Sequence, residues 1–552
     1  MNQKENVFST NLAPSIDSNY FDLSHDVKMG IKMGRLVPSC LLEVVPGDIF
    51  KIQVENMIRF MPLVSPVMHK IKATTHFYFV PTRLLWKNWE KFITGQKILG
   101  EDILPPTIDG QRWQPVMNND NVISGCVADY LGIPQNMSTD KISDFGISAL
   151  PFAAYLKIYY DWYMDENITN NFDSLTPEDF YYITQDGQLS GAEWESHPVN
   201  LIGGMEPLKR AWMHDYFTSC LPWAQRGDAV TLPLFGESIP DIEIIRQSAG
   251  YGIWLQANAT NPVVGDIVAL GANIVGNNAA GAAAANTTLT SYDPNGTLFA
   301  PMDGLNDYAN DINSLRRAFA LQSWLEKNSR GGVRYIEHVL NHFGVQSSDG
   351  RLDRAEYIGG KVQDVLISEV LQQTPNEQGA LGTMGGHAIS IDSSDQWSFT
   401  AEEHGYIIGI LNVQPITSYH QGIHKLWTRH SNLDYYWPSF ANIGEQEVKN
   451  MEIYANHSLP HSTFGYLPRY SEYKYINSRS AGSLADNLRF WAMDRHFNGD
   501  VNLNIDFIRC EPSTDIFAVN EDMPRAQPLI CHVFNNIGAI RKMPKYAVPA
   551  II

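Results

Sequence analysis

Residues 35–56 read RLVPSCLLEVVPGDIFKIQVEN. In the second half of this stretch Phe50, Ile52 and Val54 alternate with Lys51, Gln53 and Glu55, the two-residue period of a strand with one buried and one wet face. Pro46, Gly47 and Asp48 supply the turn that precedes it. Further on, KATTHFYFVP at 72–81 sets Phe77 and Phe79 on one face and His76 and Tyr78 on the other, which predicts a strand covered on both sides or lying at a subunit contact. EHGYIIGILNVQP at 403–415 and LICHVFN at 529–535 read as later strands. Strands therefore fall in the first and last thirds of the chain. One β scaffold built from both ends, with helices and loops inserted between its strands, accounts for this.

Between these thirds the periodicity changes. Trp86, Trp89, Phe92 and Ile93 suggest a short amphipathic helix, and Phe152, Tyr155, Tyr159, Trp162 and Tyr163 share a face of a second one that begins at Pro151. Ile312, Leu315, Phe319, Gln322 and Leu325 mark a third, and Val333, Ile336, Leu340 and Phe343 a fourth, with Gly331-Gly332 between them and Gly344 as a stop. Residues 1–35 are polar and irregular and read as an extended arm.

The chain has 552 residues, 44% of them hydrophobic and 18% charged, with 30 prolines and 41 glycines, the composition of a folded, turn-rich, mainly β protein. Its formal charge of -20 argues against binding nucleic acid by massed phosphate neutralisation, so any such contact must be local or helped by a basic partner. The five cysteines, Cys40, Cys126, Cys220, Cys510 and Cys531, are far apart and never form a CxxC pair. They suit a reducing compartment with buried thiols. The N-terminus lacks a basic start followed by an apolar run, and a protein made in a cytoplasm is expected.

Candidate chemistry is thin. His338/His342, His420/His424 and His457/His461 have i, i+4 spacing, but none carries the glutamate placement of a zinc hydrolase, and all are read as structural. Asp161 and Asp165 could mimic a general acid/base pair and are read as the solvated edge of a helix. Arg226-Gly227-Asp228 spells an adhesion tripeptide in a turn and is read as accidental. No catalytic, cofactor-binding or metal residue is assigned.

The insertion is more informative. From 247 to 315 there is no Lys or Arg, and 276–288 read GNNAAGAAAANTT. A loop of this length carrying Tyr251, Trp254, Tyr292 and Phe299 is expected to present a recognition surface. Near the C-terminus Arg541, Lys542, Lys545 and Tyr546 form a basic cluster suited to contact with DNA or with another subunit.

On the flanks of the insertion, HDYFTSCLPWAQRGDAVTLPL at 214–234 resembles the hallmark segment of the major capsid proteins of gokushoviruses, small single-stranded-DNA bacterial viruses of the Microviridae. The likeness extends through FDLSHDVKMGIKMGRLVPSCLLEVVPGDIFKI at 21–52, HFYFVPTRLLWKNWEKFITG at 76–95, VADYLGIP at 127–134, ISALPFAAYLKIYYDWYMDENI at 147–168, RGGVRYIEHVLNHFGVQSSDGRLDRAEYIGG at 330–360, EHGYIIGILNVQP, YYWPSFANIGEQEVKNMEIY at 435–454 and FGYLPRYSEYKY at 464–475.

This resemblance implies a viral jelly roll, a two-sheet antiparallel β-sandwich with long helical and loop insertions. Residues 36–235 and 312–552 would form its core, 1–35 an N-terminal arm, and 236–311 a variable insertion that protrudes near the threefold axes and meets the host. It also implies a T=1 icosahedral shell of about sixty copies around circular single-stranded DNA. The implied partners are an internal scaffolding protein, a DNA pilot protein, a small basic DNA-binding protein and a host receptor, with assembly in the bacterial cytoplasm. The insertion is not matched residue by residue, so its role carries over but no receptor contact does. Without the resemblance, the competing reading is a large β-sandwich enzyme or carbohydrate-binding protein with a ligand cleft.

Overall fold

The computed structural model describes residues 17–98, 101–108, 122–168, 201–228, 230, 312–332, 334–371, 384–518 and 527–546, together with five short strands between 245 and 299. The chain forms two compact units, residues 1–226 with 326–552, and Gly227–Leu325.

The first unit is built on long antiparallel strands: β1 (Asn19–Asp22), β2 (His25–Ile31), β3 (Val37–Val44), β4 (Ile49–Phe60), β5 (Ile71–Pro81), β6 (Glu356–Leu371), β7 (Met384–Ser393), β8 (Trp397–Thr400), β9 (Gly405–Pro415) and, after a hairpin of β10 (Glu445–Lys449) with β11 (Thr463–Pro468), β12 (Leu529–Arg541). One sheet runs β2-β12-β4, with β7 and then β8 on the far side of β4. The other runs β3-β9-β5-β6. Hydrogen bonding is continuous between them because β6 serves both, pairing through 356–365 with β5 and through 366–371 with β7. This strand order is that of an eight-stranded jelly roll, β2 being its first strand, with its sixth strand broken into β7 and β8.

Residues 19–31, read above as an arm, are extended, but they are working strands of the sheet. Both β1 and β2 pair with β12, from Asn19↔Arg541 to Ile31↔Leu529. The predicted turn at 46–48 joins β3 to β4. Gly47 has φ +89, where a side chain is strained, and the Val45 N–H donates to the Asp48 carboxylate at 3.1 Å.

The sandwich interior follows the two-residue period. Phe50, Ile52, Val54 and Ile58 of β4 meet Phe77 and Phe79 of β5 and Ile407 and Leu411 of β9 in one buried cluster, each such side chain contributing about 1.5–3 kcal/mol. The opposite face of β5 and β9 is buried too. Tyr78, Val80, Ile408 and Ile410 pack with Trp86 against α1 (Leu150–Ile158). Tyr155 fastens that helix, donating from its hydroxyl to the Leu36 carbonyl at 2.8 Å and accepting from the Leu208 N–H at 2.9 Å. The two-sided reading of 72–81 is thereby explained: one face belongs to the sandwich and the other to an inserted helical layer.

That layer corrects two expectations. Helix α1 is buried all round except at Pro151, and its last turn, Tyr159–Tyr163, is π-helical, with the Met164 N–H reaching the Tyr159 carbonyl. Asp161 is not on a solvated edge. It is 4% exposed, pairs with buried Lys157 at 3.2 Å, and accepts the Ala355 N–H at 2.8 Å. Burial pushes the Lys157 pKa down, against the pull of Asp161. Farther on, α2 (Ile312–Arg330) and α3 (Tyr335–Phe343) fall where the spacing placed them, and Gly344 closes α3 at φ +68.

A third cluster forms outside the sandwich, where Phe217 and Cys220 join Tyr419, Val448, Ile453, Phe464 and Phe507. The family-like segment at 214–221 is its bracket. Asp215 accepts the N–H groups of Phe217 and Thr218 at 2.8 and 2.7 Å and the Tyr419 hydroxyl at 2.7 Å. Leu221 exchanges backbone hydrogen bonds with Tyr466 of β11.

Asp161→Ala leaves a buried ammonium and a backbone N–H without their carboxylate, and should cost about 3–5 kcal/mol, read as a fall in the denaturation midpoint of the subunit. His76, 2.7 Å from the Tyr163 hydroxyl, has its pKa pushed down to about 4 by burial and, secondarily, by Arg210. Its neutral form therefore stabilises the fold fully above the ordinary value of 6.5 and less as pH falls from 6.5 to 4, because the unfolded chain binds the proton first. Thermal melts across that window should show His76→Gln losing less stability than the wild type, by up to about 3 kcal/mol.

Candidate functional site

The insertion is not only loop. In the second unit Trp254–Gln256 is the middle strand of a small antiparallel sheet, with Val264 opposite Trp254 and Thr288 opposite Gln256. Phe299 lies opposite Ile245 in a separate two-stranded pair. Two of the four aromatic residues proposed for recognition, Trp254 and Phe299, thus sit on strands, while Tyr251 and Tyr292 lie outside the described residues.

The C-terminal basic cluster divides. Arg541 ends β12 and folds back on its own sheet, its Nε 3.2 Å from Asp48, its Nη2 donating to the Glu43 carbonyl at 2.8 Å and its guanidinium 5.5 Å from the centre of the Phe50 ring. Beyond it Lys542, Lys545 and Tyr546 are exposed. Spacing alone groups all four; the end of β12 separates the first from the rest.

The histidine pairs are placed by different neighbours. His338 and His342 stack on α3 with ring centres 5.4 Å apart, and His342 Nε2 lies 2.5 Å from the Asn328 side chain. His420 turns to Asp494 at 3.7 Å and stacks on His496, whereas His424 accepts the Leu426 N–H as the cap of a short turn. His457 accepts the Leu459 N–H at 3.0 Å, and His461 is exposed. Among the described residues no three His, Cys, Asp or Glu side chains come together to hold a metal ion. Arg226 of the adhesion-like tripeptide bonds Asn167 and lies over the Trp223 ring. All five cysteines are buried, and burial raises the pKa of Cys40 and Cys531 to about 12, so neither carries a nucleophilic thiolate near neutral pH.

A concavity of the first unit, about 990 Å³, lies between the outer face of β5 and the third cluster, with Tyr78, Trp162, Tyr163, Arg210, Arg334 and Tyr466 among its walls. It is a ligand-sized space that hydropathy could not foretell, since its walls come from eight separate stretches of chain. Two of its arginines are already engaged with carboxylates of the same walls: Arg334 meets Glu166 at 2.8 Å and Arg330 meets Glu445 at 2.5 Å. Burial raises the pKa of both carboxyls while the paired arginines hold it down. These pairs fasten Glu166 to the base of α3, and β10 to the end of α2, which is structural work.

The sequence matches the capsid protein (F protein) family over residues 10–551. It is 33% identical to capsid protein VP1 of Bdellovibrio phage phiMH2K, covering 100% of this chain and 99% of that one. It is 30% identical to capsid protein VP1 of Chlamydia phage 1 over 99% and 98% of the two chains. To capsid protein VP1 of Spiroplasma virus 4 it is 28% identical, over 100% and 98%. With a jelly-roll strand order and end-to-end similarity to three phage capsid proteins, the chain belongs to the phage capsid protein (F protein) family and is a major capsid protein of the gokushovirus type, a structural protein of the virion and not an enzyme.

Proposed function

We propose that the protein closes into a T=1 shell of about sixty copies around circular single-stranded DNA, and that the insertion at 236–311 forms surface protrusions near the threefold axes for attachment to the host. The observation that carries the second part is that Gly227–Leu325 is a compact unit of its own, inserted between β5 and β6 and free of cations from 247 to 315. A compact unit with its own small sheets is suited to an outside partner.

The shell holds by many modest contacts at once, so no single contact needs high affinity. With a chain of formal charge -20, most genome charge is balanced by a small basic viral protein or by cations. The exposed Lys542, Lys545 and Tyr546 serve as local contacts to DNA or to a neighbouring subunit, while Arg541 completes its own sheet. An internal scaffolding protein guides assembly in the host cytoplasm, a DNA pilot protein accompanies the genome, and Trp254 and Phe299, with Tyr251 and Tyr292, supply the receptor surface.

Electron microscopy of particles in which 247–308 is replaced by a short linker tests this reading. Closed shells that lack projections and adsorb poorly to host cells are expected; projections that persist, or unchanged adsorption, would exclude the attachment role of the insertion.

A further inference from the structure

The chain has two Asn-Gly pairs, Asn295-Gly296 and Asn498-Gly499. The second falls among the described residues, in the connection between β11 and β12, and there Asn498, Gly499 and Asp500 are all exposed. Asparagine before glycine is the pairing in which a side-chain amide is most open to its own backbone, because no Cβ shields the nitrogen that follows.

The surroundings of Gly499 leave that approach open. A Cβ built there would meet nothing within 4 Å, and the backbone is outside the left-handed region. Among the described residues its N–H donates to no acceptor. The Asn498 side chain bonds His496, itself exposed, so a single contact at the surface holds the amide in place.

On either side the bend is pinned. The Phe497 N–H donates to Gln421 Oε1 at 2.7 Å, and the Phe497 carbonyl accepts from Gln421 Nε2 at 2.8 Å. Asp500 accepts the Ser458 N–H at 2.8 Å and the Ser458 hydroxyl. Phe497 stacks on Phe507 with ring centres 6.2 Å apart, and Val501 is buried in the third cluster. Only Asn498 and Gly499 lie between the pins. Gly499 supplies the torsional freedom for a ring to close there, while any atom added to the backbone must displace a pin, since bond lengths are fixed.

We infer that Asn498 is a site of spontaneous, enzyme-free covalent modification, and that its isoaspartyl product unfastens this edge of the third cluster. The Gly499 nitrogen gives its proton to hydroxide and attacks the side-chain carbonyl carbon of Asn498. A C–N bond forms, closing a cyclic imide, as the bond to Nδ2 breaks and ammonia leaves with a proton from water. A second water then opens the imide. Opening at the side-chain carbonyl gives aspartate in an ordinary backbone, which sets a carboxylate beside His496. Opening at the main-chain carbonyl gives isoaspartate, whose backbone runs through the side chain and is longer by one methylene. In sum water replaces ammonia, and nothing is oxidised or reduced. The longer backbone no longer fits between the pins, so Phe497 parts from Gln421 or Asp500 from Ser458.

The reaction needs no partner and is measured on the folded, full-length chain, incubated near neutral pH at physiological temperature. Peptide mapping by mass spectrometry is expected to show amide-to-carboxyl conversion at 498, with both isomers resolved by chromatography and the isoaspartyl form confirmed by methyltransferase labelling. Gly499→Ala places its methyl in open space, so this variant should melt as the wild type does yet convert at 498 about tenfold more slowly, while Asn295 in the same sample keeps its wild-type rate. Conversion seen only in unfolded chain, or equally fast in Gly499→Ala, overturns the inference. Hydrogen exchange reads the pins: the Phe497 or the Ser458 N–H should exchange about tenfold faster in the isoaspartyl fraction than in fresh protein, and both should stay unchanged in Gly499→Ala incubated alongside. Full protection of both in the isoaspartyl fraction would overturn the loosening of the cluster.

Discussion

Strand β12 is the member on which the sandwich depends. It is hydrogen-bonded along its length on both sides, to β4 from Leu529↔Phe60 to Ile540↔Ile49 and to β2 and β1 on the other. Until it arrives, β4 and β2 present unpaired edges, and the inner faces of Ile52, Val54 and Met29 have no neighbours from Cys531, Val533 or Ile537. The other sheet can assemble earlier, from β3, β5, β6 and β9, which come from chain that precedes 416. The protein therefore carries one sheet that matures late and one that can form first, and the late one is the more vulnerable to wrong pairing during synthesis.

The outer face of the early sheet is closed by the helical layer, whose buried Lys157 and Asp161 hold one another and the Ala355 N–H in place. The third cluster is then bracketed by Asp215 and by the backbone exchange of Leu221 with Tyr466. Each layer is fastened by polar groups whose partners come from distant parts of the chain. Such groups add geometric definition where apolar packing alone would tolerate sliding.

Much of this was legible in the sequence, for physical reasons. The alternation at 50–55 was readable because one face of β4 is wet, and the ambiguity at 76–79 was itself a correct signal, since both faces are packed. The strand at 25–31 was missed although Val27, Met29 and Ile31 alternate with Asp26, Lys28 and Gly30; the polar stretch around it hid the period. Asp161 was misplaced because a carboxylate on an aromatic helix is ordinarily at the water's edge. Lys157, one turn earlier, was a visible hint, but the Ala355 N–H was not. Nor could periodicity show that Arg541 belongs to the sheet and Lys542 to the surface, because that depends on where Asp48 lies. The family was readable from long collinear segments, whereas the surfaces that do its work are assembled across segments and had to be seen.

The two ends of the inserted region are held together by the sheet itself. Glu356 at the start of β6 pairs directly with Phe79 near the end of β5, so residues 82–355 leave the sheet and return to it through one pair of neighbouring strands. For chain anchored in this way, the entropy of closing the excursion grows only with the logarithm of its length, about 0.6 kcal/mol for each doubling. The sandwich is therefore nearly indifferent to how much is inserted there. Chain can be added, removed or exchanged between β5 and β6 without renegotiating the registers that hold the sandwich together, so this is where the fold resists change in length least.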